Sequence, residues 1–190
     1  MSRLRAADLA RIAVFAALIA ALGLPGTIAL FGNAVPITAQ TLGVMLAGAL
    51  LGARRGALAC LVFLALVAAG LPLLAGGRGG WAVFTGPSAG YLIGFPVGAF
   101  VIGLLTARLL PRYPFWAGLA ANLAGGILVV YAIGIPVQAA RVGSGLLAVV
   151  QGAVQYLPGD LIKVVITTIV AQRVHRAFPG LVGTHRDQDL

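Results

Sequence analysis

Apolar residues dominate this chain, and charge alone divides it. Residues 12–53 carry no charged side chain, nor do 56–77, 79–107, 113–140 and 142–159. A membrane-crossing helix needs about 20 mostly apolar residues. The pattern predicts six spans, at about residues 8–24, 40–52, 56–69, 91–110, 114–133 and 158–176. Pro25-Gly26 and Gly70-Leu71-Pro72 supply stops after the first and third. The second is short, so it takes in part of the preceding loop or is shielded by its neighbours. Residues 142–157 are apolar but interrupted by Ser144, Gln151 and Gln155. They read as an interfacial or re-entrant helix before the sixth span, not as a seventh crossing.

Composition supports lipid as the solvent. Of the 190 residues, 61% are hydrophobic and only 9% charged. A soluble domain has roughly 25% charged residues. So few charges cannot cover the outside of a water-soluble fold of this size, which excludes a soluble enzyme, a disordered tail and a disulfide scaffold. The expected fold is an all-α integral membrane protein. Residues 1–180 form one six-helix transmembrane domain, and 181–190 a polar tail.

The formal charge of +9 would suggest nucleic acid in a soluble protein. Here the basic residues stand singly or in pairs at the ends of apolar runs, and nucleic-acid binding is not expected. With six spans, ten of the 13 basic residues fall on the side of the termini and two, Arg78 and Arg141, on the other. The positive-inside rule then puts both termini in the cytoplasm. Arg3 and Arg5 before an apolar run resemble a signal peptide. Because the rest of the chain is equally apolar, the run reads as a retained first helix. The lone Cys60 lies in an apolar run and reads as a small buried hydrophobe. His175 and His185 lack the spacing and the third ligand of a metal site. No phosphate loop, nucleophile triad or paired catalytic carboxylate is present, so uphill transport would draw its energy from a partner or an ion gradient.

The informative residues are the polar ones that a membrane should exclude. Asp160 and Lys163 are three apart and so share a helix face. Asp160 falls in the first turn, after Pro158 and Gly159, where the helix dipole favours a carboxylate. The two form an internal ion pair between helices, or they line a ligand cavity near the outer face. Lys163 is the chain's sole lysine, which favours the cavity. The second region is residues 70–91, with seven glycines among 22 residues. It carries Arg78, Trp81, Phe84 and Tyr91. A permissive backbone, a cation and aromatic walls suit a small amphipathic anion. Thr38 and Gln40, in the loop before the second span, add donors and acceptors. Asn122, a buried amide in the fifth span, bonds across helices or to a ligand. In the first span Ala13, Ala17 and Ala21 repeat at four, as do Ala16 and Ala20. Such stripes let another helix come close, either in this chain or in a separate membrane subunit.

Five runs, in order, resemble the BioY family of biotin-specific substrate-capturing (S) components of energy-coupling factor transporters. They are Val35-Pro36-Ile37-Thr38-Ala39-Gln40-Thr41-Leu42, Leu46-Ala47-Gly48-Ala49-Leu50-Leu51-Gly52, Gly70-Leu71-Pro72 with Gly76-Gly77-Arg78-Gly79-Gly80, Gly86-Pro87-Ser88-Ala89-Gly90-Tyr91-Leu92-Ile93-Gly94-Phe95, and Leu157-Pro158-Gly159-Asp160-Leu161-Ile162-Lys163. Ser88-Ala89 departs from an expected Thr-Gly-Gly. The resemblance implies a six-helix protein of the bacterial cytoplasmic membrane that binds biotin near its outer face, with no cofactor and no enzymatic activity. It also implies a transmembrane coupling subunit and two cytoplasmic ATPase subunits, with the alanine stripe of the first helix as the docking surface. Biotin's chemistry fits the residues. Asp160 would accept from a ureido N–H, Lys163 or Arg78 would hold the carboxylate or ureido carbonyl, and Trp81 and Tyr91 would pack on the rings. The alternatives are another vitamin, such as riboflavin or thiamin, and an intramembrane enzyme using Asp160 with Lys163.

Overall fold

The computed structural model describes residues 5–24 and 38–182. Eight α-helices make up most of this: α1 Ala6–Ala21, α2 Gln40–Leu51, α3 Ala53–Ala68, α4 Ala89–Leu109, α5 Phe115–Leu123, α6 Val130–Val142, α7 Leu146–Ala153 and α8 Leu157–Ala177. The expected stop at Pro25-Gly26, the loop residues before Thr38 and the polar tail from 183 onward lie outside the described residues.

α5 and α6 are joined by a π-helical segment, Ala124–Val129, into one helix of 28 residues. At 1.5 Å per residue it is about 42 Å long, more than the roughly 30 Å of a bilayer core. It overruns the expected end near residue 133, because Pro136 lies inside the helix and does not stop it. Helices in lipid tolerate an internal proline because neighbours satisfy the freed carbonyl. Gly143, at φ 65°, ends it. α7 and α8 are likewise continuous through a 3-10 turn, Val154–Tyr156, over 32 residues. Residues 142–157 are thus largely the helical lead-in to the last helix, and α7 alone, at 8 residues, is too short to cross a bilayer.

Among the described residues, three helices are long and apolar enough to span a membrane: Ala89–Leu109, Phe115–Val142 and Leu146–Ala177. α2 has only 12 residues, about 18 Å. Nine of the twelve are buried, and α1, α3, α4 and α8 all pack against it. Shielding, not length, makes this helix tenable in lipid. Gly52, at φ 81°, turns α2 directly into α3, and a side chain at Gly103 would run into the backbone of Gly52 and Ala53.

Two apolar clusters fill the bundle. One joins Ile19, Val44, Phe63, Val67, Leu74, Tyr91 and Phe95. The other joins Met45, Ile102, Tyr113, Ile127, Val164 and Ala171. Large apolar side chains also point outward, among them Val14, Leu61, Ile93, Phe100, Leu128 and Ile162. In water that surface would drive aggregation, and in lipid it is the solvated face. The chain is a membrane protein.

Candidate functional site

Asp160 and Lys163 sit in the first two turns of α8, where Leu157-Pro158 starts the helix. Asp160 is 5% exposed. Lys163 Nζ donates to Asp160 Oδ1 at 2.8 Å, to Thr41 Oγ1 at 2.9 Å and to the Thr38 carbonyl at 2.6 Å. An ammonium has three donors, and all three are used. The carboxylate also accepts from Thr41 Oγ1 at 3.2 Å and, through Oδ2, from the Tyr131 hydroxyl at 2.7 Å. One ion pair therefore ties α8 to the start of α2 and to α6. Its geometry offsets the cost of taking two charges out of water, which a poorly bonded pair would not.

Aromatic rings surround the pair. Tyr131 meets Tyr91 edge-on at 6.1 Å and Tyr156 edge-on at 6.5 Å. The Tyr91 hydroxyl donates to Gln138 Oε1 at 2.8 Å. Gln40 is buried beside Thr41. Its Nε2 donates to the carbonyls of Ile19 and Leu73, which clamps α1, α2 and the glycine-rich loop together. Thr38 Oγ1 accepts from the Gln40 backbone N–H at 3.2 Å. The arrangement offers a fixed anion and cation beside three phenol rings, which is chemistry for a small ligand with polar ends and an apolar body.

The glycine-rich loop is folded, not slack. Leu74 and Arg78 pair their backbones across Gly76 and Gly77, at φ 77° and 68°, and Leu74, Ala75 and Val83 are buried. Trp81–Phe84 forms a 3-10 turn. Arg78 is exposed, with Nε donating to the Ala75 carbonyl of its own loop. Trp81 is 75% exposed and packs on Phe84. Neither has a described hydrogen bond to the Asp160 cluster.

Asn122 is placed elsewhere. Its Nδ2 donates to the Tyr113 hydroxyl at 3.2 Å and to Thr168 Oγ1 at 3.0 Å, binding α5 to α8. It precedes Tyr131 by nine residues on one helix, about 13 Å along the axis. Nδ2 thus bonds across helices, while Oδ1 is buried with no hydrogen-bond partner among the described residues. The alanine rows also separate. Ala13, Ala17 and Ala21 are exposed, whereas Ala16 is buried and Ala20 half-buried. Thr41, Tyr131, Tyr156 and Gln138 belong to the cluster, yet sequence reasoning does not single them out as site residues. A polar side chain within an apolar span is the available signal for Tyr131 and Gln138.

Fold and site together define a helical membrane bundle with a buried, hydrogen-bonded polar cluster toward one end. Comparison with known proteins names the group: residues 1–180 match the BioY family, and the chain belongs to it. A biotin transporter BioY of Rhizobium etli is 48% identical over 181 residues, covering 92% of this chain and 96% of that one. The corresponding protein of Rhodobacter capsulatus is 49% identical over 180 residues, covering 89% and 93%. A crystal structure of the S-component for biotin from an ECF-type ABC transporter superposes with a TM-score of 0.86 at 33% identity, covering 92% of this chain and 93% of that one.

Proposed function

We propose that this chain captures biotin at the Asp160–Lys163 end and carries it across the bacterial cytoplasmic membrane as the S component of an energy-coupling factor transporter. It is a transporter component and not an enzyme, and biotin is its cargo, so it needs no cofactor. The observation that carries the reading is the near full-length likeness to biotin transporters, joined to a buried cluster whose groups complement biotin. Asp160 accepts a ureido N–H. Lys163 exchanges the Thr38 carbonyl for an acceptor on the ligand. Tyr91, Tyr131 and Tyr156 pack on the fused rings.

In this reading α1, α2, α3, α4, the α5–α6 helix and α8 form six spans with both termini in the cytoplasm, as the distribution of arginines supports. The exposed Ala13, Ala17 and Ala21 row meets the transmembrane coupling subunit, which works with two cytoplasmic ATPase subunits. The folded loop with Arg78 and Trp81 covers the outer mouth. The test is titration of the purified chain with labelled biotin against a panel of vitamins, followed by uptake in cells with and without the coupling subunits. Tight binding of biotin alone, lost in Asp160→Asn, is expected. Equal binding of riboflavin or thiamin would refute the assignment.

A further inference from the structure

A second polar feature lies at the other end of the bundle, about 24 Å along α8 from Asp160. Here the turn between α4 and α5 folds against the end of α8. Gln172 Nε2 donates to the Tyr113 carbonyl at 3.4 Å, and the Tyr113 and His175 rings are 5.2 Å apart. Between the two segments is a cavity of about 260 Å³, walled by Leu110 and Pro111 on one side and by His175, Arg176, Pro179 and Val182 on the other. His175 Nε2 is engaged with the Ala49 carbonyl at 2.9 Å, which leaves Arg176 as the cation of the wall.

Arg108, Arg112, Arg173 and Arg176 are all exposed at this end. The two acids among the described residues are engaged elsewhere: Asp8 pairs with Arg11 and Arg55, and Asp160 with Lys163. None of the four arginines has an ion-pair partner among the described residues. Asp187 and Asp189 lie outside them. Trp116 and Phe178 nearby in the chain are 77% and 65% exposed, as aromatic rings are at the boundary between lipid and water. An apolar cleft beneath guanidinium groups that have no ion-pair partner among the described residues is complementary, at that boundary, to one kind of molecule. A phosphate diester would pair with the arginines, and an acyl chain would lie along the leucine, proline and valine wall.

We infer that this cavity seats an anionic phospholipid, with Arg176 and Arg112 holding the phosphate. The site is independent of biotin binding and does not rest on that assignment. The test reconstitutes the full chain in vesicles of phosphatidylcholine mixed with phosphatidylglycerol, extracts it in mild detergent and counts retained lipids by native mass spectrometry. The wild-type chain should retain phosphatidylglycerol above its share of the mixture. Arg112→Gln with Arg176→Gln should lower that preference on the order of tenfold, while Arg141→Gln, at the other end, leaves it intact. Biotin titration of the same samples reports whether the variants are folded. The inference is overturned if the wild-type chain shows no preference, if Arg141→Gln lowers it as much as the pair does, or if inorganic phosphate displaces the lipid.

Discussion

Lys163→Met is the perturbation with the largest expected consequence. It removes all three donors of the ammonium at once and leaves the Asp160 carboxylate with only Thr41 and Tyr131. Asp160 is 5% exposed, so water cannot take the place of the lost partner without opening the helix ends. Breaking a buried pair by removing one member costs about 3–5 kcal/mol, because a charge is left uncompensated. Replacing both members removes that charge, so Asp160→Asn with Lys163→Met should regain much of the loss. The assay is thermal unfolding of the purified protein in detergent, with labelled-biotin binding on the same samples. The single variant should be the least stable, the double variant intermediate, and both should bind biotin poorly. A double variant no more stable than the single one would refute the reasoning, since the penalty would then not come from an unpaired carboxylate. So would a single variant as stable as wild type.

Tyr131→Phe deletes one hydrogen bond to a carboxylate, worth about 1.5–3 kcal/mol, and should weaken biotin binding at least tenfold while leaving the helical circular-dichroism signal unchanged. Gly103→Val places a side chain against the Gly52–Ala53 backbone and should cost about 1–3 kcal/mol, read as a lower melting temperature. Ala17→Leu, on the exposed face of α1, should leave biotin binding intact and lower uptake that depends on the coupling subunits. Ala16→Leu, on the buried face, should instead destabilise the isolated chain.

Several features can be read from sequence because they depend on local spacing or bulk composition. Asp160 and Lys163 share a face because they are three apart on one helix. The lipid environment follows from scarce charge. Other features depend on how helices are rotated against each other, which spacing does not reveal. Tyr131 reaches Asp160 across 29 residues and Thr41 across 119. The fifth span is expected to end near residue 133, yet the helix runs on through Pro136 to Val142, because lipid penalises an open backbone more than a local kink. The alanine rows are equivalent by spacing alone, and only the packing of α1 against α2 and α3 divides a buried row from an exposed one.

A crystal structure of the chain with biotin bound is the direct test of where the ligand is held. The account predicts biotin within hydrogen-bond distance of Asp160 or Lys163, with its rings against Tyr131. Biotin lodged elsewhere and touching neither residue would contradict it.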